Sequence, residues 1–271
     1  MNGQPTSPAP WHVPTAIGLG AFAWILLMAG HEILGHGTAC VALGGDAISV
    51  DAMYFSCTEL SAPWKDQLYR AAGSVFNLLL AVSCLIGLRR ISEPRSWLGY
   101  FLWITAILNL LQAGSYVGFG RFIHPGMDWA MIVAGAPQSA RWATGVTAAG
   151  VALLVSALVV GRRYEPLFFH SVGGLRRQRA RLLLTPYLTA AAVSIAASIF
   201  VPSDDRFMML MGGIGNSLFF LAPMLLLLVM PIPRDRVEDG GPDFSRRPVV
   251  IASSVAVTLL YVFVLGAGIG G

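Results

Sequence analysis

Residues 28–40 read MAGHEILGHGTAC, and within them His31, Glu32 and His36 stand in otherwise apolar surroundings. Two neutral imidazoles suit zinc, and a catalytic zinc keeps one position open for water. Zinc brings the pKa of that water to about 7. Glu32, next to the first imidazole, can take its proton and hand it to a leaving amine. The competing reading is a pair of packing histidines with a polar neighbour. Inside a membrane span, ionisable groups are costly and mark function, which favours the metal.

The spacing is unusual. The two histidines lie five positions apart in H-E-I-L-G-H, not the four of H-E-x-x-H. On an α-helix a step of five turns the side chain by about 140°, so both rings could not easily reach one ion. One extra residue in the turn, a π-bulge, returns position i+5 to the same face, and such bulges cluster at functional sites. Gly35 sits where the coil has to deform and is the residue most permissive of it.

The rest of the chain has to position these groups. Of its 271 residues 55% are hydrophobic and only 12% charged, against roughly 25% charged in a soluble domain. The composition specifies an all-α polytopic membrane protein. Seven apolar stretches of the length needed to cross a bilayer fall near 15–43, 67–88, 96–119, 139–161, 181–201, 207–230 and 248–268. No basic patch is interleaved with aromatics as single-strand binders require, so no nucleic-acid partner is expected. Residues 1–14 form a polar, Pro-rich tail without Lys or Arg. That is not the basic start of a cleavable signal, and the first span is expected to remain as an anchor.

Arginines sort the loops. Arg89, Arg90 and Arg95 follow the second span. Arg162, Arg163, Arg176, Arg177, Arg179 and Arg181 follow the fourth, and Arg234, Arg236, Arg246 and Arg247 the sixth. By the positive-inside rule these loops and the N-terminus are cytoplasmic, and the His31–His36 end of the first span points outward. Loop 162–181 reads as a solvated positive loop. Residues 44–59 alternate β-branched or aromatic with polar residues and read as an interfacial strand or hairpin. Residues 118–129, GFGRFIHPGMDW, are too rich in Gly and Pro to be one regular helix. Cys40, Cys57 and Cys84 have no C-x-x-C spacing and read as small buried hydrophobes.

The order of these elements resembles the site-2 protease family of intramembrane zinc metalloproteases. HEILGHG is followed by the β-like 44–59 segment, and then by YRAAGSVFNLLLA. There Ala72, Gly73 and Asn77 match the family's Ala-Gly-Pro-x-x-Asn pattern, with Ser74 for the proline. NLLQ from Asn109 is similar to the opening of the third pattern, with Gln112 for proline. PGMDW offers Asp128, with Trp129 for the glycine. The His-Glu-x-x-x-His spacing looks like that of dipeptidyl peptidase III, a soluble zinc peptidase.

The resemblance covers residues 15–136 and implies a zinc metalloprotease core there, with residues 137–271 as further spans of unknown role. It implies Zn²⁺ held by His31, His36 and Asp128, Glu32 as general base and acid, and Asn77 bonding a substrate carbonyl or strand backbone. His124 is the rival third ligand. An N-cap role competes for Asp128, and an interhelical bond for Asn77. The implied partner, besides the lipid bilayer, is a membrane-protein or peptide substrate. Its helix must unwind before attack, and the 44–59 strand could capture the unwound segment by edge pairing. Asp46, Asp51 and Glu59 read as solvated, and Asn216 and Pro223 as shaping the sixth span. The alternatives are an inactive scaffold or regulator of the same fold, and a metal transporter.

Overall fold

The computed structural model describes residues 11–169, 174–202, 206–232, 237 and 245–270. Residues 1–10, Arg234 and Arg236 lie outside the described residues, as does part of loop 162–181. The chain is an α-helical multi-pass membrane protein. Among the described residues seven helices are long and apolar enough to cross a bilayer: Val13–Ala42, Pro63–Arg90, Trp97–Ile123, Ser139–Phe168, Leu175–Phe200, Arg206–Val229 and Pro248–Leu265. They match the seven expected stretches, and four of them run a turn or two further at one end. Capping explains some of the ends. Ser96 accepts the Gly99 amide ahead of the third span, as a serine N-cap does, and prolines open the second and seventh, where a missing N–H costs nothing.

The third span lies at the centre, with Tyr100, Trp103, Ile104, Ile107, Leu108 and Leu111 fully buried. Lipid tails are as apolar as leucine, so close packing and hydrogen bonds must hold such helices together. Both are present. A Cβ on Gly150 would stand 2.3 Å from the Gly118 backbone, so the third and fourth spans cross almost backbone to backbone. Hydroxyls bridge other pairs: Tyr100 donates to the Leu182 carbonyl (2.9 Å), Ser115 to Phe220 (2.8 Å) and Tyr187 to Leu218 (2.9 Å). Each such bond contributes about 0.6 kcal/mol on average.

At the end of the fourth span Glu165, fully buried, forms a two-pronged ion pair with Arg179 of the fifth, Nε–Oε1 2.5 Å and Nη2–Oε2 2.7 Å. Arg179 also donates to the Met230 carbonyl, just past the sixth span. The sequence reading had placed both residues in a solvated loop. Here an arginine fork satisfies the carboxylate, which is the condition for burying either charge.

Residues 44–59 form the expected hairpin, β1 (Ala47–Val50) and β2 (Phe55–Cys57), antiparallel with Val50 opposite Phe55. A third strand, β3 (Ile269–Gly270), comes from the Gly-rich tail and pairs with the other edge of β1. The last span clamps the hairpin as well, since Ala52 donates to the Leu265 carbonyl (2.9 Å) and accepts from the Tyr261 hydroxyl (2.8 Å).

Two cysteines correct the sequence reading. Cys40 and Cys57 form a disulfide, Cα–Cα 5.9 Å, across a sequence separation of 17. No motif spacing announces it, because the chain reversal between the first span and β2 is what brings them together. Cys84 is free and buried, as expected.

Candidate metal centre

The first span changes coil at the motif. Val13–Ala29 is α-helical, Gly30–Gly37 is a π-helix and Thr38–Ala42 is α-helical again. The expected widening is present and covers the whole of GHEILGHG. A π-turn disturbs the carbonyl ladder, and the Thr38 hydroxyl donates to the carbonyls of Leu34 and Gly35 there. Gly35 has a second reason to be glycine: a Cβ on it would lie 2.6 Å from the Gly73 Cα. The first and second spans therefore touch at their backbones beside the site.

The widened turn puts the His31 and His36 rings 4.9 Å apart, centroid to centroid. His31, His36 and Asp128 each offer one ligand atom, and these atoms lie within 4.8 Å of one another. His36 Nδ1 donates to the Tyr69 carbonyl at 2.8 Å. A carbonyl only accepts, so the Nδ1 nitrogen carries the proton and Nε2 presents its lone pair, 3.4 Å from Asp128 Oδ2. A backbone acceptor that fixes the tautomer in this way is the usual support of a metal-binding histidine. The donor set, two imidazoles and a carboxylate with a second carboxylate beside them, fits a divalent transition metal with an open position.

Asp128 begins a short helix, Asp128–Ala134, in which no side-chain cap bond forms. The capping alternative is not what its carboxylate does. Tyr116 donates to Oδ2 at 2.9 Å, and Arg70 Nη1 stands 3.7 Å from Oδ1. Burial acts to raise the Asp128 pKa, but His36 and Tyr116 outweigh it and hold the carboxyl below its ordinary value. His124, the rival ligand, is exposed and caps its own turn, accepting the Gly126 amide at 3.0 Å. It lies outside the three-residue cluster.

Asn77, expected to reach substrate, is fully buried, and its carboxamide meets His31 Nδ1 at 3.1 Å. It stands behind the ring, where it orients the imidazole, and does not line the adjoining chamber. Gly73, one turn earlier, is just as tight: a Cβ there would fall 2.4 Å from His31 Nε2. Asn109 is buried and donates to the Thr105 carbonyl of its own helix (2.8 Å). Ser74 and Trp129, two of the departures from the family pattern, meet each other. The Trp129 indole donates to the Ser74 hydroxyl at 2.9 Å and ties the Asp128 helix to the second span.

A chamber of about 500 Å³ opens beside the cluster. Glu32, His36 and Asp128 line it together with Tyr116, and so do Met211 and Asn216 of the sixth span. Glu32 is buried and its carboxylate accepts the Phe55 amide of β2. Asp51 was expected to be solvated. It is half-buried and accepts the amides of Met53 (2.6 Å) and Tyr54 (2.9 Å), which shapes the hairpin tip. Burial raises its pKa against those two bonds.

No known protein family, characterised protein or solved structure matches this chain.

Tyr116, Arg70 and Tyr69 went unnoticed at the sequence level. A tyrosine or arginine at a membrane interface is ordinary, and nothing in their spacing relates them to Asp128. The sixth span's place on the chamber also went unnoticed, since Asn216 and Pro223 read only as shaping that helix.

Proposed function

We propose that this chain is a membrane-embedded zinc metalloprotease that hydrolyses peptide bonds of membrane-protein or peptide substrates within or beside the bilayer. One observation carries the reading: the π-turn brings His31 and His36 to Asp128, beside a chamber that His36, Asp128 and Glu32 line. A zinc ion held by these three residues would supply a Lewis acid and make water acidic enough to attack at neutral pH. Glu32 takes the proton of the attacking water and returns it to the leaving nitrogen. Its bond from the Phe55 amide keeps the carboxylate aimed from the hairpin side. Asn77 and the Tyr69 carbonyl hold the two imidazoles, and Tyr116 and Arg70 hold Asp128. The chamber is open to its surroundings, since Ile123 and Phe219 line it and are 50% and 73% exposed.

On this reading the site end faces the outer side of the membrane: the basic loops sit at the opposite ends of the spans, which the positive-inside rule makes cytoplasmic, and a disulfide at the site end suits an oxidising compartment.

Edge capture of substrate by β1 loses its basis. β2 takes one edge and the chain's own β3 the other. On β2, the Phe55 amide goes to Glu32 and its carbonyl accepts from Tyr69 Oη at 2.6 Å.

Purified protein and its Glu32→Gln variant test the function. Zinc content is expected to be equal in both, with peptide hydrolysis falling by about 10³-fold in the variant. Undiminished hydrolysis in the variant refutes the role of Glu32, and wild-type protein without bound metal refutes the reading as a whole.

A further inference from the structure

With the hairpin edges occupied, something else must hold a substrate beside the metal. The sixth span supplies a candidate surface. Its coil is α-helical over Arg206–Ile214, π over Gly215–Phe219 and 3-10 over Ala222–Leu225. Irregular backbone at membrane depth needs protein partners or a wet cavity, and here the span has protein on one side and the chamber on the other. On one side the span is pinned to the fifth. A Cβ on Gly213 would lie 2.6 Å from Ser198 Oγ, and the Gly213 carbonyl accepts from Ser194 (3.1 Å) and Ser217 (2.7 Å).

The other side faces the chamber and is bare. Gly212 and Gly215 both line it. A Cβ on Gly212 would touch only the tip of Met53, at 3.7 Å, and one on Gly215 would meet no atom within 4 Å. Helical glycine costs about 1 kcal/mol relative to alanine, and close packing does not demand it at these two positions. Met211 and Phe219 flank this smooth strip. Methionine and aromatic side chains make an adaptable apolar lining. Asn216 stands beside Gly215 on the chamber wall, and its carboxamide has no hydrogen-bond partner among the described residues.

We propose that the Gly212–Gly215 strip of the sixth span is the specificity pocket of this site. It seats one bulky apolar side chain of an extended substrate, while the Asn216 carboxamide bonds the adjacent substrate backbone. This rests on the metal-centre reading for its chemistry, but the pocket can be measured by binding alone.

Three peptidyl hydroxamates, which chelate zinc through their own head group, are the probes. They are identical except for one side chain, Ala, Leu or Phe. Their affinities are measured in detergent for the zinc-loaded full-length protein, for Gly215→Leu, for Asn216→Leu and for Gly145→Leu. Gly145 lies on the fourth span and also has open space around its Cβ, so it controls for adding a leucine. The wild type is expected to prefer Leu and Phe over Ala by roughly tenfold or more. Gly215→Leu should erase that preference while leaving the Ala probe within about twofold, and Gly145→Leu should leave it intact. Asn216→Leu should weaken all three probes by about tenfold.

No preference in the wild type, or an equal loss on all three probes in Gly215→Leu, overturns the pocket. Hydrolysis of the matching peptides is read in parallel. A side-chain preference without hydrolysis sinks the protease and leaves the pocket standing. Hydrolysis without a preference does the reverse.

Discussion

Two π-turns face the same chamber, Gly30–Gly37 in the first span and Gly215–Phe219 in the sixth. Both begin at a glycine, and in both a hydroxyl bonds a carbonyl in or just before the turn, Thr38 to Leu34 in one and Ser217 to Gly213 in the other. Their surroundings are opposite. Around the first, Gly35 presses on Gly73 and Gly73 on His31, so the face that carries the imidazoles is closely packed. Around the second, a Cβ on Gly215 would meet nothing. One widened coil is used to bring donors together, and the other to leave space. The same backbone device therefore has no fixed meaning, and its neighbours decide what it does.

Breaking the first turn should cost the metal, and disturbing the second should not. His36→Ala removes a ligand, and zinc is expected to drop from about one per chain to background, with hydrolysis lost, as read by elemental analysis. Gly73→Ala drives a methyl toward His31 Nε2 and should weaken zinc by about 10- to 100-fold, as ligand misplacement does. A chelator competition curve unchanged from wild type would show that the contact is soft. Tyr116→Phe deletes the hydroxyl on Asp128 and should lower metal affinity by about tenfold while the fold survives. Ser217→Ala at the second turn should cost about 1 kcal/mol of stability, seen as a small fall in Tm, with zinc content unmoved. If Ser217→Ala releases zinc, the two turns are coupled and the contrast between them fails.

The first turn was legible in the sequence because its chemistry is periodic. Two histidines a step of five apart have to be reconciled, and only a widened coil does so. The seven spans were legible from hydropathy and the alternating arginines. Asp128 was legible only through the order of motifs, since its own neighbours point equally well to a helix cap. The second turn left no such mark. Asn216 is one polar residue in an apolar run, and glycines kept for room look like glycines kept for packing. The disulfide was hidden for a related reason: it depends on where the hairpin folds back, and hydropathy does not record that. Asn77 was read as reaching substrate and its carboxamide meets His31 Nδ1, a contact hidden in the sequence because a pattern does not say which side of an imidazole an amide occupies.

The Glu165–Arg179 pair bears on the far end of the sixth span. Arg179 grips the Met230 carbonyl, about 30 Å along the helix from Met211 at 1.5 Å per residue. Opposite charges shut away from water separate only at great cost, so that end is a fixed bearing. Any swing of the wall must then grow with distance from it and be widest at the chamber end, so a mutation at the opposite end of the span can retune a mouth it never touches.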